Sequence, residues 1–439
     1  AQQGIYFQWL LEPESPYYNY QILLECAGPN TDRIRRALGQ ALRANPQLMA
    51  KFGVDSTGRF TQTFPISAID MDEISIHEVA SAQEARKICW MKAAVPFNLE
   101  EGPAIAVDEI RINGYSTWFV LTMNEILIDG WGAMKFMEQL ISLFECRNMD
   151  DQEIEVKTAM TSALEYFQHL SKPEEISAEA REFWSKSLDG VKSCFPLRDT
   201  LNSSCDPYAA SVIEVSLDDE ATAEIRSTAH ALSTSPFAVF VAAYSLALAA
   251  VSDQHDFVVG APVAGRNDEY KIGVPTLMLN MIAIRTRIDV EKKISDTVRS
   301  MISNVTEAVS FGDSVFSKVV SEFADHTNED PLFSTMVNML TYPSLEFWDG
   351  DRSLHLTELN TGFTKYDASL YIQRHGEDYT LQLAYKVAYV TPERANKVLA
   401  LTAWFLTSDW LSGKTTVANA IKTALNDCDT SQITMLKSY

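Results

Sequence analysis

Met123-Asn124-Glu125-Ile126-Leu127-Ile128-Asp129-Gly130-Trp131 is the stretch on which the rest of the chain turns. It joins two segments of different period. Before it, Thr117 to Met123 is a mostly apolar run rich in β-branched and aromatic residues, the pattern of a buried strand. After it, Trp131, Met134, Met137, Ile141 and Phe144 recur at helical spacing. Asp129 stands where the new helix needs an N-cap, and Gly130 permits a tight backbone. A corner of this kind presents a reactive side chain at the end of a strand.

The chain has 439 residues, of which 46% are hydrophobic, so a sizeable core is expected, in two or three domains or one large two-lobed unit. The net charge of −23, from 36 basic and 59 acidic residues, argues against nucleic acid or an anionic membrane as a partner, since both are bound through clustered Lys and Arg. Cys26, Cys89, Cys146, Cys194, Cys205 and Cys428 form no Cys-x-x-Cys pair and lie near no His at ligand spacing. They read as reduced thiols of a cytoplasmic protein. The opening residues carry no signal-peptide pattern, and the longest apolar run, Pro236 to Val251, is shorter than the ~20 residues a membrane span needs. No metal site is expected, because Glu125 and Asp129 are two carboxylates with no His between His77 and His169 to join them.

In chain order, Gln21 to Cys26 reads as a strand, and Asn30-Thr31-Asp32 starts a helix that continues through Ile34, Leu38 and Leu42 to a stop at Asn45-Pro46. Asp55-Ser56-Thr57-Gly58 marks a hairpin within Phe52 to Phe64, and Ala80 to Ala94 a second helix. Val107 to Ile112 and Ser116 to Met123 pair around Asn113-Gly114. Asp150 to Glu155 reads as an acidic loop. Ser171-Lys172-Pro173-Glu174-Glu175 is the expected boundary between a lobe of residues 1–175 and one of residues 176–439. Beyond it, Phe183 and Trp184 open an amphipathic region. Ser211 to Leu217, a helix capped at Asp218-Asp219, a long helix from Ser235 to Val251 and a strand at Phe257 to Gly260 repeat the style of the first lobe.

The corner resembles that of the condensation domains of nonribosomal peptide synthetases, in the superfamily of chloramphenicol acetyltransferase. Their motif is His-His-x-x-x-Asp-Gly, often followed by Trp. Here Asn124 and Glu125 take the two His positions, and Asp129, Gly130 and Trp131 keep the frame. Further stretches resemble the family in the right order. They are Phe97-Asn98-Leu99 with Gly102-Pro103, Gly260-Ala261-Pro262 with Arg266, Asn280 to Arg285, Phe311-Gly312-Asp313, Pro331-Leu332-Phe333 with Asn338, and Tyr366-Asp367 with Leu383-Ala384-Tyr385. Ala106 stands where the family often has Arg.

The resemblance implies an α/β fold of two chloramphenicol-acetyltransferase-like lobes, arranged as a V-shaped pseudo-dimer around a central tunnel. The chain would then be either a stand-alone protein or, as the preferred reading, one domain cut from a larger synthetase. The resemblance also implies that Asp129 pairs with Arg266, that Asn124 packs internally and that Asn280 is structural. The alternative for that pair is a plain helix cap and a surface Arg. No cofactor is expected to bind directly; phosphopantetheine would be presented by partner peptidyl carrier domains, with neighbouring synthetase domains as further partners.

Two functions follow from the resemblance. With both histidines gone, the first is a catalytically degenerate platform, like the interface domains of siderophore assembly. It would dock carrier protein and a trans-acting oxygenase such as a β-hydroxylase. The alternative is an active acyltransferase forming an amide or ester with Glu125 in place of the catalytic His, provided burial lifts its pKa from about 4.3 toward neutrality.

Overall fold

The computed structural model describes residues 1–436 except 28–30, 65–68, 115, 147, 170–175, 200–201, 267, 324–330, 341–345, 348–353 and 408–413. The expected lobe boundary at Ser171 to Glu175 and the first helix-start residue, Asn30, lie outside the described residues.

Two mixed sheets organise the chain, each with its own hydrophobic core. The first runs Glu346–Phe347, Leu354–Leu359, Asn19–Ala27, Ser116–Asn124, Ile105–Ile112, Ser75–Val79. The strand that leads into the corner is central to it, pairing antiparallel with Asn19–Ala27 and Ile105–Ile112. Phe119, Leu121 and Met123 point into the main core beneath the helices Thr31–Ala44 and Gly130–Glu145. Trp118 and Val120 point the other way, toward Ala85 and Cys89 of the helix Ala82–Ala93. Burial on both faces explains why this strand reads as a continuous apolar run and not as an alternation. The expected turn residues, Asn113 and Gly114, lie between the paired Ile112 and Ser116 and both have positive φ (49° and 72°), which Asn and Gly accommodate most readily.

The second sheet runs Thr434–Leu436, Ala210–Ser216, Asp378–Lys386, Ala368–His375, Thr335–Leu340, Asp256–Val263, Asn280–Arg287. The helix Pro236–Ser252 is apolar nearly all round and is buried in this lobe's core together with Pro392–Leu406. Among the described residues no single helix is long and apolar enough to cross a membrane.

Two features depart from the sequence expectations. Asp150 to Glu155 is not a loop but the first turns of a helix, Met149–His169. Asn148 caps it, its Oδ1 accepting the Asp151 N–H at 2.8 Å, and Val156, Ala163 and Tyr166 supply its buried face. The second feature is that Leu354–Leu359, from the C-terminal half, pairs with Gln21 to Cys26 and completes the first sheet. The chain therefore returns to the first lobe before re-entering the second at Ala368.

Candidate active corner

The strand ends at Asn124 and the helix begins at Gly130, so the five residues between form the corner. Asn124 is 3% exposed and shapes the turn: its Oδ1 accepts the Ile126 N–H at 3.0 Å, while its own N–H donates to Ala104 O at 2.9 Å. The turn thus uses the polar side chain at this position. Ile126, Leu127 and Ile128 are buried beneath it.

Asp129 does two jobs. Oδ1 accepts the Gly132 N–H at 2.7 Å and caps the helix. Oδ2 takes the Arg266 guanidinium at 2.8 Å, with the backbone N–H groups of Met278 and Leu279 at 2.8 and 2.9 Å. Arg266 in turn donates to Thr276 O at 2.9 Å. Both readings of Asp129 thus hold together, and Arg266 is buried rather than on the surface. The segment from Gly273 to Leu279 is laid against the corner at further points. Leu277 N–H donates to Leu127 O at 3.0 Å, and Gln47 Nε2 to Pro275 O at 3.1 Å. A Cβ on Gly132 would meet Thr276 O at 2.8 Å, so the helix start needs glycine's missing side chain there.

The helical stripe is divided. Met137 and Phe144 enter the first core, joined by Ala133, Phe136, Leu140 and Leu143. Trp131 instead reaches the second half, its Nε1 donating to Ile272 O at 3.4 Å, with the Lys135 ammonium 5.8 Å from its ring centroid. Asn280 stands apart from the corner's chemistry. Its Nδ2 donates to Gly312 O and Ser314 O at 2.8 and 2.7 Å, holding the loop after the helix Ile294–Ser310.

Glu125 is different from all of these. Its backbone N–H donates to Tyr18 O at 2.7 Å, but its carboxylate has no hydrogen bond or ion pair among the described residues. The side chain is accessible to solvent. Yet protein surrounds it so densely that burial is the largest influence on its ionisation, pushing the carboxyl up to about 7. The Lys365 charge pulls against that rise and Glu358 adds to it. The Glu125 carboxyl is therefore open to solvent, yet set among enough protein to be perturbed.

The same surroundings include side chains that sequence reasoning did not single out. Lys365 Nζ donates to the Tyr18 hydroxyl at 2.7 Å, and burial draws its ammonium down to about 8. Tyr366 and Tyr371, whose hydroxyls feel Glu125, are held neutral by the same burial. Tyr18 comes from just before the first strand of the chain and Lys365 from the return to the second sheet, so no local spacing connects them. The only signal was Tyr366, within a stretch resembling the family. Among the described residues no group of His, Cys, Asp and Glu is placed to hold a metal ion.

Comparisons with known proteins agree with this arrangement. The model of the condensation-domain family matches residues 1–399. A linear gramicidin synthase polypeptide of Brevibacillus parabrevis is 24% identical over 388 residues, 84% of this chain and 7% of that protein. A plipastatin synthase polypeptide of Bacillus subtilis (strain 168) is 22% identical over 397 residues, 90% of this chain and 15% of that protein. The chain spans only these small shares of the curated relatives' length. The first condensation domain of the calcium-dependent antibiotic synthetase, in complex with a substrate analogue, superposes with a TM-score of 0.70 at 17% identity, covering 95% of this chain and 97% of that one. A four-domain nonribosomal peptide synthetase bound to AMP and glycine gives a TM-score of 0.74 at 14% identity, covering 95% of this chain and 33% of that one. At such identities the structural likeness speaks for the fold. The match across residues 1–399, taken with a strand, corner and helix that hold Asp129 against Arg266, means that this chain belongs to the condensation-domain family.

Proposed function

We propose that this chain is an acyl-transfer domain of a nonribosomal peptide synthetase. It would join an acyl thioester to an amine or hydroxyl, with Glu125 as the proton acceptor in the place of the family's imidazole. Both substrates would arrive on the phosphopantetheine arms of peptidyl carrier domains. One observation carries this reading: the Glu125 carboxylate is unpaired among the described residues, reachable by water, and lifted to about 7. A general base works best with a pKa near the working pH, and an ordinary exposed Glu at about 4.3 would be too weak.

A second reading is the docking platform for a trans-acting tailoring enzyme such as a β-hydroxylase. It is favoured by the loss of both motif histidines at Asn124 and Glu125. An in-trans assay with a panel of acyl-loaded donor and aminoacyl-loaded acceptor carrier proteins separates the two. Product from the wild type that falls by about 10²-fold or more in Glu125→Gln supports acyl transfer. No product across the panel, with stable binding of a loaded carrier and a hydroxylase, would replace it with the platform.

A further inference from the structure

We infer that Lys365 is a second catalytic residue beside Glu125: its ammonium, anchored on Tyr18, hydrogen-bonds the carbonyl oxygen of the thioester as the amine adds to it. The inference rests on the reading of Glu125 as proton acceptor. It answers a problem that reading leaves open. A neutral imidazole both accepts and donates, whereas an ionised carboxylate only accepts. Replacing His by Glu125 therefore removes a donor as well as changing the base. Lys365 is a donor with no acceptor capacity, which is the half that was lost.

The geometry supports this in three ways. The first is that the Lys365 backbone is fixed from both sides. Residues 360–367 connect the first sheet at Leu359 to the second at Ala368. Within that connection Ala210 N–H donates to Gly362 O at 2.8 Å, and Thr364 N–H to Tyr208 O at 3.1 Å. Arg198 grips both Asp367 carboxylate oxygens at 3.0 Å. A preorganised donor needs that rigidity.

The second is that Tyr18 stands between the two groups. Its carbonyl holds the Glu125 backbone at 2.7 Å, and its hydroxyl holds Lys365 Nζ at 2.7 Å. The ammonium also lies 5.1 and 5.5 Å from the ring centroids of Tyr18 and Tyr366. These rings shelter the cation without neutralising it.

The third is that the ammonium has no counter-ion. One of its three N–H groups goes to Tyr18; among the described residues no carboxylate forms an ion pair with it and no other acceptor takes the remaining two. A cation drawn out of water is ordinarily paired. The charged groups that it feels are Glu125 and Glu12, which favour the ammonium, and Lys386, which opposes it. The geometry leaves those two N–H groups for an oxygen that acquires charge only during the reaction.

The step balances without a further reactant. The amine nitrogen bonds to the carbonyl carbon, and the π pair moves onto oxygen, where Lys365 donates to it. The proton on nitrogen passes to Glu125. As the oxyanion collapses, the carbon–sulfur bond breaks, and the departing pantetheine sulfur takes the proton back from Glu125. Amide and free thiol result.

The test is the pH dependence of single-turnover rates for wild type, Lys365→Arg and Lys365→Met, beside a binding measurement that needs no turnover. The wild-type rate should fall above an apparent pKa near 8. Lys365→Arg should keep part of the rate and lose that alkaline limb, since Arg stays charged. Lys365→Met should lose about 10²–10³-fold. A Lys365→Met rate within about threefold of wild type, or an alkaline limb unmoved in Lys365→Arg, would overturn the inference.

In calorimetry, an anionic phosphonate mimic of the tetrahedral species should bind the wild type about tenfold or more tighter than the neutral amide product does. That preference should vanish in Lys365→Met and persist in Glu125→Gln. A wild type with no such preference removes the role of Lys365, whatever Glu125 does. A wild type that shows the preference but never turns over removes the Glu125 reading and leaves Lys365 as the anion-binding group.

Discussion

Asp129 Oδ2 lies 2.8 Å from Arg266 Nη1, with each side chain 4% exposed, so the corner and the second half of the chain share a buried ion pair. Two backbone N–H groups complete the carboxylate's shell, and Thr276 O takes a second guanidinium N–H. Removing one partner strands the other charge. Asp129→Ala and Arg266→Ala are each expected to cost about 3–5 kcal/mol in urea unfolding. The double variant should cost clearly less than the sum, because neither charge is then left alone. Additive losses would mean that the two residues act separately, as helix cap and packing group.

Asn124 has a smaller, structural task. Its side chain satisfies the Ile126 N–H inside the turn that aims Glu125. Asn124→Ala should cost about 1–2 kcal/mol by leaving that buried donor unpaired. Asn124→Asp, which keeps the acceptor, should recover part of it at neutral pH. Thermal unfolding of the three proteins decides this; an Asn124→Ala protein as stable as the wild type would show that the turn does not need the side chain.

Much of this was legible in the sequence where neighbours in the chain are neighbours in space. The strand Ser116–Asn124, its turn at Asn113-Gly114 and the cap at Asp129 all follow from local pattern. Arg266 was reached only through a resemblance to the family, since no spacing joins it to Asp129. The helix Met149–His169 was missed at its start because Asp150, Asp151 and Glu153 are charged and precede the buried stripe of Val156, Ala163 and Tyr166. Lys365 was illegible for a stronger reason. Its partner Tyr18 is 347 positions away, and the two meet only because the chain crosses back to the first sheet at Leu354–Leu359. Chemistry assembled from opposite ends of a chain leaves no periodic trace.

Glu125 also carries a pH signature that is independent of turnover. Its carboxyl titrates at about 7 in the fold and near the ordinary carboxylate value when unfolded. The folded state therefore holds the proton more tightly. Any stability linked to that proton is fully present below the unfolded pKa and is lost as pH rises through about 7. Glu125→Gln, which cannot ionise, should gain on the wild type over that window and differ little from it near the ordinary carboxylate pKa of about 4. Parallel stability–pH curves for the two proteins would mean that the carboxyl is not perturbed and would weaken the case for a base at this position.

Gly132 tests whether the corner depends on the second half for its shape. A Cβ there would sit 2.8 and 3.0 Å from the backbone O and N of Thr276, and 3.0 Å from Ile128 Cγ1. Helix propensity alone would make Gly132→Ala a gain of up to about 1 kcal/mol. The close approach predicts the opposite sign, since backbone atoms yield less readily than the tip of a side chain. Gly132→Ala should lose about 1 kcal/mol and Gly132→Val about 1–3 kcal/mol. The segment that must retreat also carries the Met278 and Leu279 N–H groups bound to Asp129. Gly132→Val should therefore shrink the coupling between Asp129 and Arg266 in the double-variant cycle. A Gly132→Ala protein more stable than the wild type, with that coupling intact, would mean that the segment is soft at Thr276 and that the buried ion pair alone holds the two halves in register.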